Sequence, residues 1–123
     1  MMNTKELCYK AAEYIFSKKG FDVKLIDLRE QTSITDYFLI CSADSDTQMI
    51  AIRNEIEKKF KEEEGIRPWH IEGSNSSTWI LMDYVDFVIH IFNKETREYY
   101  SLEKYWGDAP IEEIFDKVEE GIK

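Results

Sequence analysis

The pattern of apolar and polar residues predicts two amphipathic helices in the first half of the chain. Thr4 can cap the first helix, which ends near Gly20, a residue that tolerates the left-handed conformation common at helix ends. Ser45 begins the second helix because Ser45 and Gln48 can form a capping box, and Gly65 ends it. The apolar positions of this second helix recur at helical spacing: Met49, Ile52, Ile56 and Phe60.

Shorter stretches have the length and composition of β-strands: residues 22–29, 37–41, 69–72, 78–84 and 87–92. The second of them is apolar without alternation, which predicts a strand that is covered on both faces near the centre of a sheet. The last two predict an antiparallel hairpin. With a period of two, one face of the first hairpin strand carries Trp79, Leu81 and Asp83. The other face carries Ile80, Met82 and Tyr84.

The end of the chain predicts a further helix over residues 110–121, because Pro110 suits a first helical turn. Its apolar positions are Ile111, Ile114, Phe115 and Val118. The order of elements predicts one α/β domain over residues 1–123, with a core over residues 4–110. We expect a central mixed β-sheet flanked by helices, since the hairpin is antiparallel.

Composition limits the kind of partner and site. The chain has 123 residues and a formal net charge of -9, which disfavours binding to a phosphate backbone and favours a basic protein partner. Cys8 and Cys41 lie in apolar contexts without metal-ligand spacing, so we expect reduced core cysteines and neither metal nor cofactor. The sequence shows no signal-peptide pattern and no apolar run long enough to span a membrane, which predicts a cytoplasmic protein.

An acidic and aromatic stretch is the main candidate for function. No lysine or arginine occurs between Pro68 and Asn93. Three carboxylates, on Glu72, Asp83 and Asp86, accompany aromatic side chains there. Such a mixture suits a basic protein surface and repels bare RNA.

Ordered motifs along most of the chain resemble one family. They comprise Ser33-Ile-Thr-Asp-Tyr-Phe38, the helix capped by Ser45, Glu72-Gly73, Trp79-Ile-Leu-Met-Asp83, His90 with Phe92, and Arg97-Glu-Tyr-Tyr-Ser-Leu-Glu-Lys-Tyr-Trp106. Together they resemble the ribosomal silencing factor family, also called the Iojap family or RsfS. The resemblance implies a fold similar to nucleotidyltransferases without transferase activity. It also implies binding to large-subunit ribosomal protein fourteen, which blocks joining of the small subunit and lowers translation when nutrients are scarce. Dimers are a further implication.

The resemblance implies that Trp79 contacts the ribosomal protein, although a tryptophan in an alternating strand is more often packed in the core. Asp83 and Tyr84 have two interpretations each. Asp83 contacts the partner or satisfies backbone groups at the turn, and Tyr84 contacts the partner or closes the sheet edge. Glu72 contacts the partner or shapes its loop, and Asp86 completes the predicted site.

Two other functions can be weighed. A metal-dependent nucleotidyltransferase needs two carboxylates on one strand face, but Asp83 and Asp86 are separated by two residues, which sends them to opposite faces of a regular strand. We therefore expect no enzyme. Self-association is the other alternative, through the aromatic cluster near Trp106.

One position departs from the family pattern. Val85 stands in the hairpin turn where glycine is commoner in the family. Because valine strongly disfavours a positive φ, we expect either a different turn or a position that does not need one.

Overall fold

The computed structural model describes residues 2–73 and 78–117. In chain order the helices are α1 (Thr4–Ser17), α2 (Asp46–Glu64), α3 (Lys94–Tyr100) and α4 (Leu102–Tyr105). The strands are β1 (Phe21–Asp27), β2 (Tyr37–Ala43), β3 (His70–Glu72), β4 (Trp79–Asp83), β5 (Phe87–Asn93) and β6 (Ile111–Ile114). They form one sheet in the order β3-β4-β5-β2-β1-β6.

The sheet is mixed, as predicted. β2 and β5 run parallel at its centre, and every other neighbouring pair is antiparallel. The parallel pair requires the long crossover that α2, β3 and β4 provide. The prediction of a single α/β domain with a mixed sheet flanked by helices is confirmed.

Both long helices end within a few residues of the predicted positions, although Lys19 (φ 69°), and not Gly20, adopts the left-handed conformation after α1. Ser45 is the N-cap of α2 and accepts a hydrogen bond from the backbone N–H of Gln48 at 3.1 Å. Gly65 ends α2 in the left-handed conformation with φ 69°. At α1 the cap is Asn3 rather than Thr4, because Asn3 and Glu6 form a complete capping box.

The two sides of the sheet differ, and we name them by what they carry. The core face packs against α1 and α2. The larger apolar cluster lies between this face and the two helices, and its fully buried members include Cys8, Ile15, Ile52, Phe60 and Ile89. The aromatic face carries Phe38, Trp79, His90 and Phe92 and is partly covered by Leu102 of α4 and by Trp106. Cys8 and Cys41 are free and buried, as expected.

Arg97 fixes the two short helices over the aromatic face. Its guanidinium is buried and donates hydrogen bonds to the carbonyl of Asp22, to Oγ of Ser42 at 3.0 Å and to Glu103 at 3.3 Å. These contacts join α3 and α4 to β1 and β2. Such pairing is what a buried charge requires.

The prediction of a helix over residues 110–121 is wrong for residues 111–114. They form β6, which pairs antiparallel with β1 from Val23 to Ile26, and the carbonyl of Pro110 accepts a hydrogen bond from Asp27 at 2.9 Å. Without β6 the backbone groups at this edge of β1 would be unpaired. Residues 118–121 of the predicted helix lie outside the described residues.

Candidate functional site

Strand β4 divides the predicted site between the two sides of the sheet. Along β4, Trp79, Leu81 and Asp83 are half-buried on the aromatic face, whereas Ile80 and Met82 are buried on the core face. This is the alternation that a period of two predicts.

The register with β3 adds Glu72 to the same side. Glu72 lies opposite Leu81, and His70 lies opposite Asp83. His70 and Glu72 are exposed, with Nε2 and Oε1 separated by 3.0 Å. Three of the predicted site residues, Trp79, Asp83 and Glu72, therefore share the aromatic face at the β3–β4 edge of the sheet.

Ring contacts and a hydrogen bond hold the Trp79 side chain in place, while part of the residue is accessible to solvent. Its ring centroid lies 4.8 Å from that of Phe92 and 4.9 Å from that of Tyr100. Its indole Nε1–H donates a hydrogen bond to Nδ1 of His90 at 3.0 Å. Trp79 is thus half-buried and packed against neighbouring rings. Its contact with the ribosomal protein stays a prediction.

Asp83 satisfies backbone groups at the turn. Its Oδ1 accepts a hydrogen bond from the N–H of Val85 at 2.8 Å, and its backbone carbonyl accepts one from Trp69 at 2.7 Å. The half-buried carboxylate also brings negative charge to the aromatic face.

Tyr84 is a correction to the predicted site. Its side chain lies on the core face, is only 8% exposed, and stacks on Phe87 with the ring centroids 5.0 Å apart. It also meets Phe60 edge to face at 5.2 Å. Burial raises the pKa of its hydroxyl above the ordinary value of 10.0. Tyr84 therefore packs into the core with Phe60 and Phe87 and does not lie beside Trp79 on the aromatic face.

Asp86 lies in the turn between β4 and β5 and is exposed. Its backbone N–H donates to the carbonyl of Tyr84 and its carbonyl accepts from the N–H of Asp36, both at 2.9 Å. Contrary to expectation, Asp83 and Asp86 do not occupy opposite faces of one strand, because Asp86 lies outside β4. Among the described residues, no group of three His, Cys, Asp or Glu side chains could hold a metal ion.

Comparison with known proteins identifies the fold and its relatives. The model of the family described as "Ribosomal silencing factor during starvation" (RsfS) matches residues 1–122. The chain belongs to this ribosomal silencing factor family.

Relatives of this silencing factor family extend over most of the chain. The ribosomal silencing factor of Bacillus subtilis is 41% identical over 92% of this chain and 95% of its own length. The chloroplastic protein Iojap of Zea mays is 33% identical over 87% of this chain and 45% of its own length. A crystal structure of a Chromobacterium violaceum protein is 32% identical with a TM-score of 0.82, covering 86% of this chain and 88% of that one.

Membership of the silencing factor family identifies the chain as a ribosome-associated regulatory protein rather than an enzyme. The expected likeness to nucleotidyltransferases stays a prediction. In the described ranges, no helix is long and apolar enough to cross a membrane.

The turn in this member retains the geometry that glycine would favour. Val85 has φ 74° and is 57% exposed. The expectation that this position does not need a positive φ is wrong, because Val85 itself adopts one. The expectation of a different turn stays a prediction. The contact between Trp79 and His90 was not predicted from the sequence. It follows from the register of β4 and β5, in which His90 lies opposite Leu81 and therefore diagonal to Trp79.

Proposed function

We propose that this chain binds the large ribosomal subunit through a basic ribosomal protein and blocks its joining to the small subunit. By resemblance, the partner is large-subunit ribosomal protein fourteen, with little direct contact to RNA. The action lowers translation in the cytoplasm when nutrients are scarce. Family membership supports the silencing role, and the position of Trp79 on the aromatic face supports the mode of binding.

The surface suits a basic protein for two reasons. Glu72 and Asp83 bring carboxylates to the side of the sheet that carries Trp79, and residues 68–93 contain no lysine or arginine to repel a cationic partner. A half-buried tryptophan packed against other rings is a rigid aromatic anchor of the kind that supplies much of the affinity at protein interfaces. Asp86 extends the negative charge at the adjoining turn.

Trp79→Ala tests the anchor. We expect large-subunit binding to weaken by about 2 kcal/mol or more, since truncation of a central aromatic residue commonly has that effect. The measurement is pelleting with Bacillus subtilis large subunits, with circular dichroism to check the fold. Phe115→Ala is the matched control, because Phe115 is an exposed aromatic residue that follows β6, at the opposite edge of the sheet. Normal pelleting by Trp79→Ala would reject the proposed surface.

The block to subunit joining needs its own assay. Large subunits are mixed with the protein before small subunits are added, and the 70S peak is followed by sucrose-gradient sedimentation. We expect the wild-type protein and Phe115→Ala to reduce this peak and Trp79→Ala to leave it high. An unchanged peak with bound wild-type protein would show that binding does not prevent joining.

Self-association is a second candidate, favoured by exposed aromatic side chains on and after α3. Tyr99 is 82% exposed and Tyr105 is 76% exposed, and both are large apolar surfaces for a small domain. We propose that they contribute to a homodimer. Sedimentation equilibrium of the wild-type chain and of a Tyr99→Ser, Tyr105→Ser double variant tests this, with a monomeric wild-type protein as the contradicting result.

A further inference from the structure

The indole of Trp79 is oriented by a buried polar group. His90 is 3% exposed and its Nδ1 lies 3.0 Å from Nε1 of Trp79. The imidazole is itself enclosed by rings, with its centroid 4.4 Å from that of Phe38. A ring confined in this way has a fixed acceptor direction, so the hydrogen bond constrains the indole about both of its side-chain torsions.

The hydrogen bond also fixes the protonation of His90. An indole N–H can only donate, so Nδ1 must be the unprotonated acceptor and the proton of the neutral imidazole is on Nε2. Burial lowers the pKa of His90 to about 3. The ring therefore stays in the accepting form throughout the neutral range.

A histidine at this position lowers the stability of the fold relative to an apolar residue. Residues 87–92 of β5 are all buried and the others are apolar. Nε2 of His90 is buried and has no hydrogen-bond partner among the described residues. An unsatisfied buried polar atom destabilises a fold, and an apolar ring of similar shape would avoid that cost. A role confined to packing thus does not account for histidine here.

We propose that His90 is a positioning residue that holds the Trp79 indole in its binding orientation. The inference rests on the proposed function, in which Trp79 is the anchor for the ribosomal protein. An anchor fixed before binding loses less side-chain entropy when the partner docks. His90 thereby contributes to affinity without touching the partner.

The test compares three variants of His90. His90→Phe keeps an aromatic ring and removes the acceptor. His90→Asn places an amide oxygen close to the position of Nδ1, whereas His90→Gln carries the same amide one methylene further out. Each variant is assayed for large-subunit binding by pelleting, for its melting temperature, and for the indole N–H signal of Trp79 by NMR. That signal is assigned by its loss in Trp79→Phe.

We expect His90→Phe to move the indole signal towards that of a water-exposed tryptophan and to weaken binding about threefold to tenfold. Its melting temperature should be unchanged or higher, which a purely structural role would not give. His90→Asn should recover part of the signal and of the affinity, and His90→Gln should recover less. If His90→Phe fails to fold, the Asn and Gln variants decide the matter, and equal binding by these two would overturn the inference.

The failures of the two proposals have different patterns. Weak binding by Trp79→Ala together with wild-type binding by His90→Phe would overturn the positioning role and leave the proposed surface standing. Normal binding by Trp79→Ala would overturn the proposed surface and, with it, the role assigned to His90.

Discussion

Aromatic side chains pack on both faces of the sheet, but the two faces differ in the exposure and the polar contacts of these side chains. On the core face, Tyr84 and Phe87 stack on each other, and Phe60 of α2 packs against both rings. On the aromatic face, Trp79 meets rings of the same kind but also donates to His90 and keeps accessible surface. Aromatic packing alone therefore does not distinguish a core from a recognition surface. Trp79 differs from the core rings in its buried polar partner and in its partial exposure.

Phe60→Ala should show the largest effect and mark the core face as the source of stability. Phe60 has no exposed surface and contacts Tyr14 and Tyr84, with both centroids at 5.2 Å. We expect the free energy of unfolding to fall by about 3–5 kcal/mol, as is typical when a buried phenylalanine leaves a cavity. Urea denaturation measures the change.

The same measurement on Trp79→Ala completes this comparison. It should lose clearly less stability than Phe60→Ala, because part of the Trp79 ring is already in water. Equal losses for the two variants would mean that the faces do not differ in the way described.

As the pH falls, the protein should first lose stability through His90, on the aromatic face. Burial lowers its pKa from 6.5 to about 3, so between these values the unfolded chain binds a proton that the folded chain excludes. Protonation of His90 therefore does not affect stability above pH 6.5, and stability falls as the pH is lowered from 6.5 towards 3. The pKa of Asp27 is below its ordinary value of 3.8, owing first to a hydrogen bond from Arg29. The pKa of Glu63 is below its ordinary value of 4.5, owing first to a hydrogen bond from Tyr14. The stability that these two carboxylates contribute is therefore lost only at a lower pH than the effect of His90.

Thermal unfolding of wild type and His90→Phe between pH 7 and 4.5 checks this. The wild type should lose more stability across the range, and His70, present in both proteins, cancels in the difference. Parallel pH profiles would contradict the assignment to His90.

Most of the sheet could be predicted because its signals are local. A period of two assigned Trp79, Leu81 and Asp83 to one face, and a cap at Ser45 with a glycine at 65 bounded α2. The same period placed Tyr84 on the opposite face from Trp79, and the structure agrees. Its inclusion in the site came from the acidic and aromatic composition of residues 68–93, which does not tell the two faces of the strand apart.

Non-local features could not be read in this way. The spacing of Ile111 and Ile114 fits a helix, yet pairing with β1 decides the conformation, since the open edge of β1 is a tertiary property. The contact between Trp79 and His90 likewise depends on the register of two strands and on the burial of the imidazole.

The smallest predicted effect concerns the turn at which the chain passes from Asp83 on the aromatic face to Tyr84 on the core face. Val85 has φ 74°, where a β-branched side chain is strained, and its exposed side chain gains little from packing. Val85→Gly should raise the free energy of unfolding by about 0.5–1 kcal/mol, the relief of strain exceeding the added entropy of the unfolded chain.

Gly65→Ala is the matched control for Val85→Gly. Gly65 has φ 69° and a Cβ added there would meet nothing within 4 Å, so only the backbone conformation is penalised. It should lose about 1 kcal/mol of stability. Urea denaturation of both variants measures the two changes, and a loss of stability in Val85→Gly would show that the valine side chain contributes more at this junction than its strain removes.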